Sequence, residues 1–200
     1  SAQGRRTRPS VNNSSNINRE PQEVGLSVSI IDQEGRAQFL SGSDSLEPDA
    51  KKSFTEIANQ YSAEYLAKQS GAMKPEDRSS LVKEMRKKRV LLIGHTDDTG
   101  NSKLNADLSE RRARAVAQVF KSMGVAENQL FYQGAGETLP IADNASPEGR
   151  AKNRRVEIVD LSNEATFRLY LESRRPNTAY YRPTEPTDNS RRTVENAKEG

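Results

Sequence analysis

The run Gly94-His95-Thr96-Asp97-Asp98-Thr99-Gly100 is the densest group of chemically capable residues in the chain. Glycines at both ends let backbone approach a ligand closely, and a loop between rigid elements is where binding groups concentrate. Fifteen residues after Asp97 comes Arg112, with Asn105 and Ser109 between them. A carboxylate and a planar guanidinium so placed could read a zwitterion. Asp97 would take the ammonium, and Arg112 would fork onto the carboxylate. A plainer reading is equally consistent with charge and spacing. Asp97 then caps its own loop, while Arg112 is either solvated like Arg111 and Arg114 or an internal partner of Asp97.

Other chemistries find less support. His95 is the only histidine and there is no cysteine, so one chain cannot build a multi-imidazole or thiolate metal site. A serine nucleophile would need a Gly-x-Ser-x-Gly elbow, which is missing. Gly134-Ala-Gly136 is followed by Leu139 where a dinucleotide fingerprint requires glycine. Neither catalysis nor a metal or cofactor is expected.

The charge balance argues against nucleic acid. The net charge is +3, yet residues 22–160 hold 20 basic and 21 acidic side chains, and much of the excess lies in Arg5, Arg6, Arg8 and Arg19. A nucleic-acid-binding domain would carry its basic footprint on the folded part. With 32% hydrophobic and 30% charged residues, a folded centre with solvated ends is expected. No apolar run reaches the length of a membrane span, and the first residues lack the apolar core of a signal peptide. Any membrane attachment is therefore expected through a segment outside this sequence.

Element patterns place the loop. Residues 1–21, rich in Ser, Asn, Arg and Pro, read as a flexible linker. Alternation over Leu26–Ile31 predicts a strand, and Arg36–Leu40 a second short one. Pro48 opens a helix whose stripe is Phe54, Ile57, Tyr61 and Tyr65, stopped by Gly71. A polar helix follows from Pro75 to Lys88, and then a buried strand over Val90–Ile93. The helix from about Leu104 to Met123 carries the stripe Leu104, Leu108, Ala115, Val119 and Met123, with Gly124 as its stop. Leu130–Gln133 and Val156–Val159 complete the strands, with a turn or short helix over Arg150–Asn153. The prediction is an α+β sandwich, a small mixed sheet with helices packed on one face, over residues 22–165. Residues 166–200 read as a mostly disordered tail.

These residues also resemble a family. Gly94-His-Thr-Asp97-Asp-Thr-Gly100, Asn105 and Leu108-Ser-Glu-Arg-Arg-Ala113 are similar to the signature of OmpA-like C-terminal domains. So are Gly134-Ala-Gly-Glu137 and Glu148-Gly-Arg-Ala-Lys-Asn-Arg-Arg-Val-Glu-Ile158, with the family's spacing over about residues 90–159. The resemblance implies non-covalent binding of peptidoglycan through the diaminopimelate of its stem peptides, in the periplasm, with the full-length protein anchored to a membrane. It implies that Asp97 holds the ligand's ammonium and Arg112 its carboxylate. Thr96, Thr99, Asn105 and Leu108 would line the pocket, and Arg155 matches a family arginine near the last strand. Phe39-Leu-Ser-Gly-Ser-Asp-Ser-Leu46-Glu-Pro48 is similar to stator and type VI secretion members, which makes a homodimer an expectation. The alternative is a scaffold that keeps the fold without the ligand. A wall hydrolase is a third reading, and it would release soluble muropeptides.

Overall fold

The computed structural model describes residues 5–7, 28–31 and 36–162. The strands are β1 (Arg5–Thr7), β2 (Val28–Ile31), β3 (Val90–Gly94), β4 (Leu130–Gly134) and β5 (Val156–Asp160). They form one sheet in the order β1-β2-β5-β3-β4. β3 and β4 are parallel, and every other pairing is antiparallel. The helices are α1 (Pro48–Ala58), α2 (Ala63–Gln69), α3 (Pro75–Met85), α4 (Ser102–Ser122) and α5 (Pro147–Asn153). The expected α+β class with a small mixed sheet stands. β3 is buried at every position, on both faces of the sheet, which is why its apolar run is continuous rather than alternating.

The core lies between α1, α4 and the sheet. Phe54, Ile57 and Tyr61 meet Val116 and Phe120 of α4 and Val90, Leu92, Val156 and Ile158 of the strands. Helix α4 starts on Asn101, whose side chain accepts from Lys103 N and Leu104 N, and it stops at Gly124, where φ is +89°.

Its seat is set by two glycines. Gly94 and Gly134 are cross-strand partners, and both lie under Ser109. A Cβ on Gly94 would sit 1.8 Å from the Ser109 carbonyl oxygen, and one on Gly134 would sit 2.3 Å from Ser109 Oγ. Only glycine at both positions lets α4 come this close to the strand ends. Ser109 Oγ then donates to Ala106 O and accepts from Gly136 N, locking helix to sheet.

Several expectations need correction. Arg5–Thr7 pairs with Ser29–Ile31, so these three residues of the presumed linker join the sheet edge. A strand edge offers unpaired backbone groups that any sequence can meet, apolar or not. The strand expected over Arg36–Leu40 reduces to a single bridge, Phe39 with Leu46. The helix expected from Pro48 to Gly71 breaks at a 3₁₀ turn over Asn59–Tyr61 and restarts on Ser62, whose side chain caps α2. The restart changes the phase, leaving Tyr65 39% exposed instead of buried. Leu104 is 68% exposed, because the first turn of α4 precedes its seat on the sheet, whereas Leu108 and Val119 are buried as expected. Arg150–Asn153 belongs to a longer helix, α5. The tail over 166–200 lies outside the described residues.

Two outcomes test this packing. Phe120→Ala should cost about 3–5 kcal/mol of unfolding free energy, whereas Leu104→Ala should stay within about 0.5 kcal/mol, both read by denaturant melts. Gly94→Ala should destabilise by at least about 1–3 kcal/mol, because the new methyl meets helix backbone that cannot rotate aside.

Candidate functional site

The site forms where β3 ends. Beyond Gly94 the chain stays pinned between two neighbours, His95 N donating to Arg155 O (2.8 Å) and Thr96 N to Gly136 O (2.9 Å). Asp97 follows, only 5% exposed. Its Oδ1 accepts from Thr99 N and its Oδ2 from Arg154 Nη1, each at 2.9 Å. Burial works against the Asp97 carboxylate, but the Thr99 N–H and the Arg154 guanidinium outweigh it and hold the pKa below the ordinary value. Each carboxylate oxygen keeps a further lone pair for a ligand. Asp98, Thr99 and Gly100 are exposed.

Asn105 ties this loop to α4. Its Nδ2 donates to Thr99 O and to Glu137 Oε1, each at 3.0 Å, and lies 3.5 Å from Asp97 O. Thr96 Oγ1 is enclosed and has no hydrogen-bond partner among the described residues. A buried hydroxyl left in this state beside a buried carboxylate is a mark of a site rather than of a core.

Arg112 lies beneath, 1% exposed. Its Nε donates to Ser43 O (2.8 Å), Nη1 to His95 O (3.0 Å) and Nη2 to Leu40 O (3.2 Å), and its guanidinium carbon stands 5.0 Å from the Phe39 ring centre. Three of its five N–H groups are thus committed to backbone, leaving one on each terminal nitrogen. Burial, with Arg154 second, lowers its pKa to about 10, while Asp97 pulls the other way. It remains a cation at neutral pH. Arg112 is neither the solvated arginine nor the direct partner of Asp97 that the plainer reading allowed. Arg111 is the solvated neighbour, pairing with Asp44 and Asp107 at 2.9 Å each.

The two arginines before β5 divide sharply. Arg155, expected near the ligand, is turned inward with 1% exposure. It reaches Glu157 Oε2 (2.7 Å), Leu139 O (2.8 Å) and Asn153 O (3.2 Å), while His95 Nε2 lies 3.3 Å from Glu157 Oε1. It braces the interior below the loop. Arg154 is the residue sequence reasoning missed. Its side chain is 12% exposed, its Nη1 holds Asp97, and its Nε donates to Phe39 O at 2.8 Å. The sequence carried no clear signal for it, because Arg154 and Arg155 lie between the end of α5 and the start of β5.

Of the expected residues, Asp97, Thr96, Thr99, Asn105 and Arg112 come together around one loop. Leu108 is buried on α4 close by in sequence, and Arg155 is not brought to the site. The third wall is the segment Phe39–Ser43, whose carbonyl oxygens are gripped by both Arg112 and Arg154.

Comparison with known proteins identifies the family of the surrounding domain. Residues 65–154 match the OmpA family model. The peptidoglycan-binding protein ArfA of Mycobacterium tuberculosis is 52% identical over 71 residues, covering 36% of this chain and 22% of ArfA. The outer-membrane lipoprotein YfiB of Pseudomonas aeruginosa is 34% identical over 137 residues, covering 68% of this chain and 65% of YfiB. Among solved structures, the cell wall anchor of the type VI secretion system of Pseudomonas aeruginosa is 31% identical with a TM-score of 0.44, covering 66% of this chain and 79% of that one. The chain thus spans only about a fifth of ArfA and under two thirds of YfiB. Residues 65–154 of the chain thus carry an OmpA family domain.

Proposed function

We propose that this domain binds peptidoglycan non-covalently and anchors its parent protein to the cell wall in the periplasm, without catalysis. The observation that carries the reading is a preformed charge pair in a partly enclosed loop. A buried, ionised Asp97 lies beside cationic Arg154 and above cationic Arg112, with the Thr96 hydroxyl unpartnered next to it. A zwitterion fits this arrangement. Its ammonium would take the remaining lone pairs of Asp97, and its carboxylate would meet the N–H groups that Arg112 and Arg154 have left. In peptidoglycan the group of that chemistry is the free end of diaminopimelate. ArfA, named for peptidoglycan binding, supports the peptidoglycan part of this reading.

Thr99 and Asn105 shape the loop, and Leu108 supports the start of the helix. A scaffold that has lost its ligand is the competing reading. It draws on the fact that Asp97 already has internal partners. Attachment to a membrane through a segment outside this sequence, and a homodimer, are part of the proposal.

Retention on purified sacculi decides between them. Asp97→Ala should weaken binding by about 2–5 kcal/mol, at least an order of magnitude in affinity, because the ligand's ammonium is left unpaired. Free diaminopimelate should compete, and the neighbouring Asp98→Ala should bind like the parent. A folded Asp97→Ala variant that binds as tightly as the parent sinks the site assignment, and a parent chain that never binds favours the scaffold. Soluble muropeptides released from the sacculi would instead indicate a hydrolase.

The Asp97 carboxylate also makes a pH prediction. Its folded pKa lies below its ordinary value of 3.8, so it stabilises the fold above that value. That contribution is lost as pH falls through the depressed folded pKa. Asp97→Asn should therefore be less stable than the parent at neutral pH, and the gap should close only in strong acid. A gap that does not change with pH would mean the charge of Asp97 is not what stabilises the loop.

A further inference from the structure

The helical hairpin α2–α3 plays no part in the site. Helix α3 buries none of its residues, yet it is firmly mounted. Gln129, 1% exposed at the start of β4, places Nε2 3.1 Å from the carbonyl oxygens of Tyr61, Met85 and Lys88. Arg78 caps the end of α2 through Gly71 O and Met73 O. Ser62, at the head of α2, donates to Met123 O at the end of α4. Leu161 N donates to Arg89 O, so the exit of the hairpin is tied to the end of β5.

The hairpin is also where charge separates. Residues 74–89 hold seven basic and three acidic side chains, against nine and ten over residues 90–160. The run Arg86-Lys87-Lys88-Arg89 leads directly into β3. A helix C-terminus favours one or two cations, but this run goes on past the last turn. Lys83 in the last turn of α3, and Arg86 and Lys87 just past its end, are all exposed. β3 starts beside this run and ends in the His95–Asp97 loop, so the two lie at opposite ends of the strand, about 20 Å apart at 3.3 Å per residue.

We infer that the end of the domain formed by α3 and residues 86–89 is a docking surface for an anionic phospholipid membrane, facing away from the site at Asp97. Lys74, Lys83, Arg86 and Lys87 are exposed, Lys88 and Arg89 half-buried, and the set is spread over a helix and its end rather than converging on a point. Such a set matches a flat array of headgroups better than one compact anion, which would need donors aimed inward. Leu81 lies two residues before Lys83 and so on the other side of the helix, which makes the contact electrostatic rather than inserted. With wall at one end and membrane at the other, the domain would bridge the two. The inference goes beyond the wall-binding reading and does not depend on it.

Co-sedimentation of the whole 200-residue chain with vesicles tests it without peptidoglycan. Vesicles of phosphatidylcholine with about one third phosphatidylglycerol should bind the chain, and phosphatidylcholine alone should not. Raising salt from about 0.15 M to about 0.5 M should release it. Lys83→Glu/Arg86→Glu/Lys87→Glu should lower binding at least about tenfold while retention on sacculi stays unchanged. Lys83→Ala/Arg86→Ala, which leaves the Lys87–Glu84 pair intact, is the milder variant if the triple change melts the hairpin, and it should lower binding in the same direction. Equal binding to both vesicle types overturns the inference, as does binding that survives either variant. Capture on polyglutamate beads but not on anionic vesicles would also overturn it, pointing to an acidic protein instead.

Discussion

The close seat of α4 over Gly94 and Gly134 is the constraint from which the site follows. A methyl on Gly94 would collide with the backbone of Ser109, so the helix cannot slide or lift without losing contact with both strand ends. Ser109 fixes the helical phase as well, through its bonds to Ala106 O and Gly136 N. Three residues on, Arg112 must then point under the β3 exit. Four residues back, Asn105 must point at the loop itself. The two side chains of the helix that shape the site are thus aimed by a contact that neither of them makes. A loop of six residues acquires the fixed geometry of a helix–sheet interface.

Electrostatics make the same loop self-consistent. Burial and the nearby Arg154 both burden the Arg112 cation, and Asp97 is the anion that works against them. Arg112 is kept charged although buried because three backbone carbonyl oxygens accept from it and a phenyl face lies alongside. Those carbonyls belong to two chain segments, 40–43 and the residue after β3, so the guanidinium also acts as a bolt between them. Below, Glu157 is shared between Arg155 and His95, a second buried network that keeps the end of β5 aligned with the end of β3. Sites held this way lose little conformational freedom on binding, and a small zwitterion with few contacts needs that saving.

Much of this was legible in the sequence, for physical reasons. The stripe through Leu108 and Val119 showed because helical period and burial coincide along the middle of α4. The loop was visible because its residue types serve no packing purpose. The end turns were not legible. Leu104 continues the stripe in sequence but lies beyond the sheet, and Tyr65 falls after a helix restart set by one capping serine. The choice between Arg154 and Arg155 was hidden because it turns on the phase of a strand beginning one residue later, and an error of one flips every side chain. Gln129 left no signal, since a buried amide that gathers three distant carbonyls is a purely tertiary feature.

The proposed binding role and an enzymatic one would use the same loop differently. General acid–base work needs a group whose pKa is brought near the working pH. Here Asp97 moves the other way, held below the ordinary carboxylate range by Thr99 and Arg154. His95 is directed inward to Glu157, away from the exposed part of the loop. What the loop offers under the proposed function is charge of both signs, nearly enclosed at Asp97, Arg112 and Arg154. An anchor also benefits from charges that stay constant across the pH range of its surroundings. A carboxylate with a depressed pKa beside the buried Arg112 guanidinium has that property, which suits the attachment proposed for this loop.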